Sequence, residues 1–364
     1  MSQAGGRLSG DEGNSAESRI GAPICDGMGN KISNTVCAFI AQEGYQPETT
    51  LPACVLIRAQ AVFLEQGGIF SMFTFKGSYV ALVTPFNEDG SVNFKKLEEL
   101  CEFQIQNGTD GLVVLGTTGE SSTMSHEEDE DVVRCAMSVV NGRVPIVAGS
   151  GSNSTETALM KSVAYDKLGV DALLLITPYY NKANQTGMVR HFTDVADRVS
   201  CPVIAYNVPG RTGCALSVKS VETLSRHENI VGIKEASGDM SFVMDISHLA
   251  SEKFAIISGN DDITLPMMAA GGTGVISVLA NICPRETSDM VHAFLNGDIQ
   301  KSREIQLKYL KLIHALFSDV NPIPVKEAMN LMGMNVGGFR MPLCEMEEAK
   351  KDALQSVLKE YGLI

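Results

Sequence analysis

The sequence predicts an α/β chain folded as a (β/α)8 barrel, with a small helical unit after it and a long, poorly ordered extension before it. Three observations carry this prediction. From Tyr79 onward, short apolar runs alternate with amphipathic segments, the pattern of parallel strands joined by crossover helices. Eight such runs fall within about 200 residues, the number and scale of a closed barrel. Several runs are apolar at nearly every position, as strands covered on both faces must be. With 364 residues and an apolar fraction of 44%, the chain has material for a sizeable core.

Residues 1–71 come first. They are rich in Gly, Ser, Asn and Pro and keep no sustained period, so they are expected to be largely disordered apart from a helix over residues 53–65. The pattern changes at Met72, a candidate native start that would make the preceding residues a translated upstream region. The barrel is expected over residues 72–297. Its strands read YVALVTP, DGLVVLG, VPIVAGSG, DALLLITP, CPVIAYNVP, IVGIKEA, FAIISGND and TGVISV. Stretches such as NFKKLEELCEFQIQNG and STETALMKSVAYDKLG repeat apolar residues three and four apart, the spacing of a helix with one buried face. PRETSDMVHAFLNGD is read as the last barrel helix. Residues 298–364 then form the helical unit, from IQKSREIQLKYLKLIHALF, PIPVKEAMNLMG and MEEAKKDALQSVLKEYGL.

A formal charge of -14 argues against nucleic acid and against anionic membrane surfaces, though not against a small anion in a locally positive site. The nine cysteines are scattered without a CxxC pair, which reads as reduced thiols in a cytoplasmic protein. No apolar stretch reaches the ~20 residues of a membrane helix. The best candidate, PACVLIRAQAVFLEQGGIF, is broken by Arg58 and Glu65, and Asp11, Glu12 and Glu17 speak against a secretory or transit segment. The six histidines show no metal-ligand spacing, so no metal is expected, and without a Walker loop or another cofactor fingerprint beside GGTG no organic cofactor is expected either.

In such a barrel the chemistry belongs at the C-terminal ends of the strands. There the sequence offers GTTGESS, TPYYN, YNVPGRTG, a lysine inside IVGIKEA, SGNDD and GGTGVIS. Alternation along the sixth strand sets Ile230, Gly232 and Lys234 on one face and Val231, Ile233 and Glu235 on the other. The bulky Val231 and Ile233 suit the outer helices, which turns Lys234 into the barrel mouth above Gly232. Burial would lower its pKa and leave a nucleophilic amine. Taken alone, Lys234 could equally pair with a carboxylate or reach out to solvent at the strand end. Its neighbours favour chemistry. Tyr206 ends the adjacent fifth strand, where a phenol can relay protons. Thr117 and Thr118 sit in a glycine-flanked turn suited to gripping a carboxylate, although GTTGE alone is better read as an ordinary turn with capping hydroxyls. Arg211 offers a planar fork for a second carboxylate, though a loop arginine is more often a surface charge.

Taken together and in this order, GTTGE, TPYYN, YNVPGRTG, GIKEASGD and SGND resemble the dihydrodipicolinate synthase family, over about residues 73–364. Within the wider pyruvate-aldolase superfamily, the RTG after YNVPG and the threonine at 117 favour this family over N-acetylneuraminate lyases. The resemblance implies a cofactor-independent class I aldol condensation of pyruvate with L-aspartate 4-semialdehyde, feeding diaminopimelate and lysine synthesis. It implies that Lys234 forms the Schiff base and that Tyr206 and Thr117 relay protons, with Tyr180 reaching the same relay from a neighbouring subunit. It further implies that Thr118 binds the pyruvate carboxylate, that Arg211 binds the semialdehyde, and that the backbones of Gly259 and Ile276 line the pocket. The implied assembly is a homotetramer built from dimers. His126, Asn153 and Tyr179 match a lysine-inhibition cleft, but Asp129 and Thr157 stand where inhibited members carry a histidine and a glutamate, and Glu156 should point elsewhere; weak or absent inhibition is expected. Two rivals remain open on the sequence: a sister aldolase acting on 2-keto-3-deoxy sugar acids, and a non-catalytic barrel that senses a keto acid.

Overall fold

The computed structural model describes residues 75–364. The helix expected over residues 53–65, the change of pattern at Met72, and Cys25, Cys37 and Cys54 lie outside the described residues.

Eight parallel strands close in sequence order into a barrel. They are β1 (Gly77–Ala81), β2 (Gly111–Val114), β3 (Ile146–Gly149), β4 (Ala172–Ile176), β5 (Val203–Asn207), β6 (Ile230–Glu235), β7 (Ala255–Ser258) and β8 (Gly274–Ser277). Each is followed by a helix: α1 (Phe94–Gln106), α2 (His126–Val140), α3 (Thr155–Leu168), α4 (Gln185–Ala196), α5 (Val218–Leu224), α6 (Met240–Ile246), α7 (Thr264–Ala269) and α8 (Pro284–Leu295). Local chemistry marks their ends. Ser125 and Glu128 form a reciprocal capping box at the start of α2, and Ser154 caps α3, which stops at Gly169 with φ 87°.

The strand alternation sorts the core into two layers. Tyr79, Ala81, Val113, Val147, Leu174, Ile204, Ile257 and Ile276 fill the barrel interior. Val80, Leu112, Val114, Leu173, Leu175, Val203, Ala205 and Ile233 face the helices. β6 departs from the expected alternation. Ile230 packs in the outer layer, whereas Val231 packs against the interior cluster. The cause is a break in register: Val203 pairs with Ile230, but Ile204 pairs with Gly232, so Val231 is an extra residue. Past this irregularity the expected order returns. Ile233 faces outward, and Lys234 stands opposite Tyr206. Gly232 is required by its neighbour strand, since a Cβ there would come within 2.6 Å of the Ala255 carbonyl oxygen.

After α8 come α9 (Ile299–Leu316), α10 (Ile323–Leu331) and α11 (Glu348–Glu360). α9 lies against α8 and α11, and α10 against α9 and α11. Every residue of α10 from Ile323 to Met329 is buried, including Lys326 and Glu327, so this helix is covered on all faces.

Candidate active site

The sixth strand delivers Lys234 to the C-terminal rim, where it is 7% exposed. Among the described residues no salt bridge engages it, which removes the reading of Lys234 as a paired structural cation. Its Nζ lies 4.3 Å from the centroid of the Tyr206 ring. Burial brings its pKa down to about 7; the Arg211 charge works in the same direction, and Asp261 opposes it. At neutral pH a large share of Lys234 is therefore a free amine, the form that adds to a carbonyl carbon.

Tyr206 is buried, and burial raises its pKa, while Arg211 and a side-chain hydrogen bond with Thr117 pull the other way. Phenol and hydroxyl thus form a pair beside the amine, able to pass a proton. Thr117 and Thr118 lie in a tight turn after β2, closed by Gly119 N–H donating to Gly116 O at 3.0 Å and Glu120 N–H to Thr117 O at 3.2 Å. Leu115 and Glu120 bracket it with φ of 58° and 54°, conformations that L-residues hold only under constraint. The Thr118 hydroxyl accepts from Asn321 Nδ2 at 2.9 Å.

Gly259 packs on the lysine itself, since a Cβ there would fall 2.6 Å from Ala236 Cβ and 2.9 Å from Lys234 Cε. Ile276 belongs to the interior cluster that also holds Tyr206. Arg211 is exposed on the short helical turn Pro209–Thr212, where its Nη2 donates to Asn321 O at 3.1 Å. A cavity of 410 Å³ opens here, with Thr117, Tyr206 and Arg211 among its walls. Lys234 is not itself part of that wall; its amine lies against the ring of Tyr206, which is.

Tyr180 is the one predicted residue that stays apart. It is 89% exposed, in a left-handed conformation with φ 70°, while its neighbour Tyr179 lines the cavity. The cavity also runs past Ser121, Ser122, His126, Asp129, Thr157 and Lys161. Asp129, on α2, is buried, and burial raises its pKa; Lys161 Nζ on α3 lies 2.8 Å from its Oδ2. Glu156 is exposed and Asn153 half-buried, with Asn153 O accepting from Asn181 Nδ2 at 2.8 Å. Among the described residues no group of three or more His, Cys, Asp or Glu could hold a metal ion.

The dihydrodipicolinate synthetase family model matches residues 74–361 of this chain. The chain belongs to that family. Among curated relatives, the 4-hydroxy-tetrahydrodipicolinate synthase of Thermoanaerobacter sp. (strain X514) is 52% identical over 294 residues, spanning 80% of this chain and 99% of the relative. Among solved structures, the chloride-inhibited dihydrodipicolinate synthase of Acinetobacter baumannii, complexed with pyruvate, is 43% identical with a TM-score of 0.78, over 80% of this chain and all of that one (100%). The Aquifex aeolicus dihydrodipicolinate synthase is 43% identical with a TM-score of 0.77, over 79% of this chain and 99% of that one. With the dihydrodipicolinate synthetase family come the barrel fold and lyase chemistry of the class I aldolase type.

Within this family frame, three residues at the site escaped sequence reasoning. Asp261 follows β7 inside SGND; it is buried, accepts from the backbone N–H groups of Val278 at 2.9 Å and Leu279 at 3.2 Å, and acts electrostatically on Lys234. Its place in a strand-end motif was a usable signal. Asn321 arrives from the C-terminal unit, 110 residues from Arg211 and 203 from Thr118, the two site residues it touches, and nothing in its local sequence announced it. Lys161 stands four residues after Thr157 on α3, a helical spacing that shares one face.

Proposed function

We propose that the chain acts as a 4-hydroxy-tetrahydrodipicolinate synthase, condensing pyruvate with L-aspartate 4-semialdehyde through an imine on Lys234. One observation carries the reading: an unpaired, buried lysine with its pKa near 7 lies against a phenol that is hydrogen-bonded to Thr117. Lys234 Nζ attacks the keto carbon of pyruvate. Tyr206, relayed by Thr117, delivers the proton with which the carbinolamine hydroxyl leaves as water. The cationic imine then draws electrons from the adjacent methyl, which gives a proton to the Tyr206 phenolate left by that step and becomes an enamine carbon. That carbon attacks the aldehyde of the semialdehyde, forming the new carbon–carbon bond, while Tyr206 returns the proton to the aldehyde oxygen. The amino group of the adduct displaces Lys234 by transimination, closing the ring and freeing the enzyme.

Thr118 and the N–H groups of its turn are the seat of the pyruvate carboxylate, and Arg211 that of the semialdehyde carboxylate; the backbones of Gly259 and Ile276 line the pocket. The relative from Acinetobacter baumannii in complex with pyruvate supports the first substrate. Tyr180 completes the relay from a neighbouring subunit in a homotetramer built from dimers, a role supported by its exposure and its left-handed backbone. Inhibition by lysine is weak or absent. In support, the Lys161 ammonium already stands beside the Asp129 carboxylate in the lobe where such an effector's amine would need a partner. A cytoplasmic setting rests on the free cysteines among the described residues, of which Cys101, Cys201 and Cys283 are buried as thiols.

Reduction with borohydride in the presence of pyruvate tests this directly. The expected result is a stable mass increase on Lys234, absent in Lys234→Ala, together with turnover of aspartate semialdehyde well above that of 2-keto-3-deoxy sugar acids. An unmodified Lys234, or a preference for the sugar acids, would overturn it.

A further inference from the structure

Helix α10 poses a question that the reaction leaves unanswered: why a lysine and an asparagine of the C-terminal unit are buried against the turn after β2. Lys326 is fully buried and forms an ion pair with the equally buried Glu120, Nζ to Oε1 at 2.8 Å. The same ammonium donates to Thr84 O at 3.2 Å and to Gly338 O, and it lies 4.4 Å from the centroid of Phe86. The other oxygen of Glu120 accepts from Arg340 N–H at 3.4 Å. Thr84, which accepts from Lys326 through its carbonyl, also donates its hydroxyl to Gly119 O at 2.6 Å.

Glu120 ends the Thr117–Thr118 turn, and it does so with φ 54°. Holding a non-glycine residue in that region costs free energy, and burying a charge costs more, so neither feature is explained by stability alone. Both are explained if the turn must be held in one shape. A second tie supports this. Asn321, just before α10, donates from Nδ2 to the Thr118 hydroxyl, while its backbone carbonyl accepts from Arg211. Asn321 Oδ1 has no hydrogen-bond partner, so the Thr118 contact is the one that orients its amide.

We infer that the Lys326–Glu120 pair and Asn321 are positioning residues for the reaction, through which the C-terminal unit sets the shape of the carboxylate-gripping turn at Thr117 and Thr118. The inference rests on the reading of that turn as the pyruvate seat. It places the C-terminal unit inside the working site.

The test begins with the variant pair Glu120→Gln/Lys326→Met, which removes both charges and leaves neither one buried alone. Apparent pyruvate affinity, read by borohydride trapping across a pyruvate titration, is expected to fall about tenfold, as loss of a well-made hydrogen-bonded seat would give. KM for the semialdehyde is expected to change less than about twofold. A folded variant that keeps its pyruvate affinity, or that loses both substrates equally, overturns the inference. Should that variant fail to fold, a cycle between Asn321→Ala and Thr118→Val decides. Asn321→Ala keeps the carbonyl that holds Arg211 and deletes only the amide on Thr118. It is expected to weaken pyruvate trapping in the parent and to have little further effect once Thr118 is valine; equal losses in both backgrounds overturn the inference. If the unaltered enzyme itself shows no trapping, the pyruvate reading fails rather than this addition to it.

Discussion

Lys234 is one nitrogen whose surroundings decide everything it does. Unfolded, it titrates like any lysine at 10.5; folded, burial brings it to about 7. Between those values the unfolded chain binds more protons than the folded one, so stability rises with pH across the interval, and below about 7 the full cost is present. That cost is about 5 kcal/mol on the usual conversion, large against a typical folding stability of ~5–15 kcal/mol. Lys234→Met should therefore melt above the parent at pH 6 to 7, with the gap closing as the pH approaches 10. Melting curves at several pH values check this; a constant gap would mean that the amine is not held neutral. The same value sets the rate profile. Imine formation with pyruvate should rise through about pH 7 and level off, where an ordinary lysine would go on gaining through pH 9.

At the scale of elements, the contact between α2 and α3 carries a prediction of its own. Asp129 and Lys161 meet across that interface, both nearly buried, with Lys161 Nζ 2.8 Å from Asp129 Oδ2. A carboxylate already served by an internal ammonium has little to offer an incoming amine, and breaking the pair would leave a buried charge uncompensated. Lysine at millimolar concentration should leave the condensation rate essentially unchanged. Strong inhibition at sub-millimolar lysine, measured in a rate titration, would show that the lobe can still accept the amino acid. The sixth strand makes the complementary point about elements. Its extra residue, Val231, reverses the facing of the residues before it, yet Lys234 still arrives opposite Tyr206 because the register recovers at Gly232.

The whole molecule enters through Tyr180. Its side chain is exposed, on a loop where both Tyr180 and Lys182 take positive φ. Read as a residue that serves a neighbouring subunit, it makes activity a property of a pair of chains. Tyr180→Phe and Lys234→Ala, each nearly inactive alone, should regain activity when co-expressed, because a mixed dimer has one site with an intact lysine and the other chain's intact tyrosine. Assay of the purified mixed species checks this. No recovery would place Tyr180 outside the relay, or in the site of its own chain.

Much of this protein was legible in one dimension. The eight apolar runs, the helical spacing between them and the strand-end motifs depend on patterns of a few residues, and such patterns are written locally. The alternation rule likewise led to Lys234 and Tyr206 as neighbours on adjoining strands. What the linear order could not carry was any contact whose partners are far apart in the chain. Glu120 and Lys326 find one another across the fold, as do Thr118 and Asn321, and Asp129 meets Lys161 only because α2 and α3 pack side by side. The facing of Val231 was decided the same way, by pairing with β5 rather than by its own neighbours. Identity of side chains and their period belong to the sequence. Which buried charges are answered, and by whom, is settled only when the closed barrel and the C-terminal helices bring distant groups within a few ångströms of each other in a medium too dry to screen them.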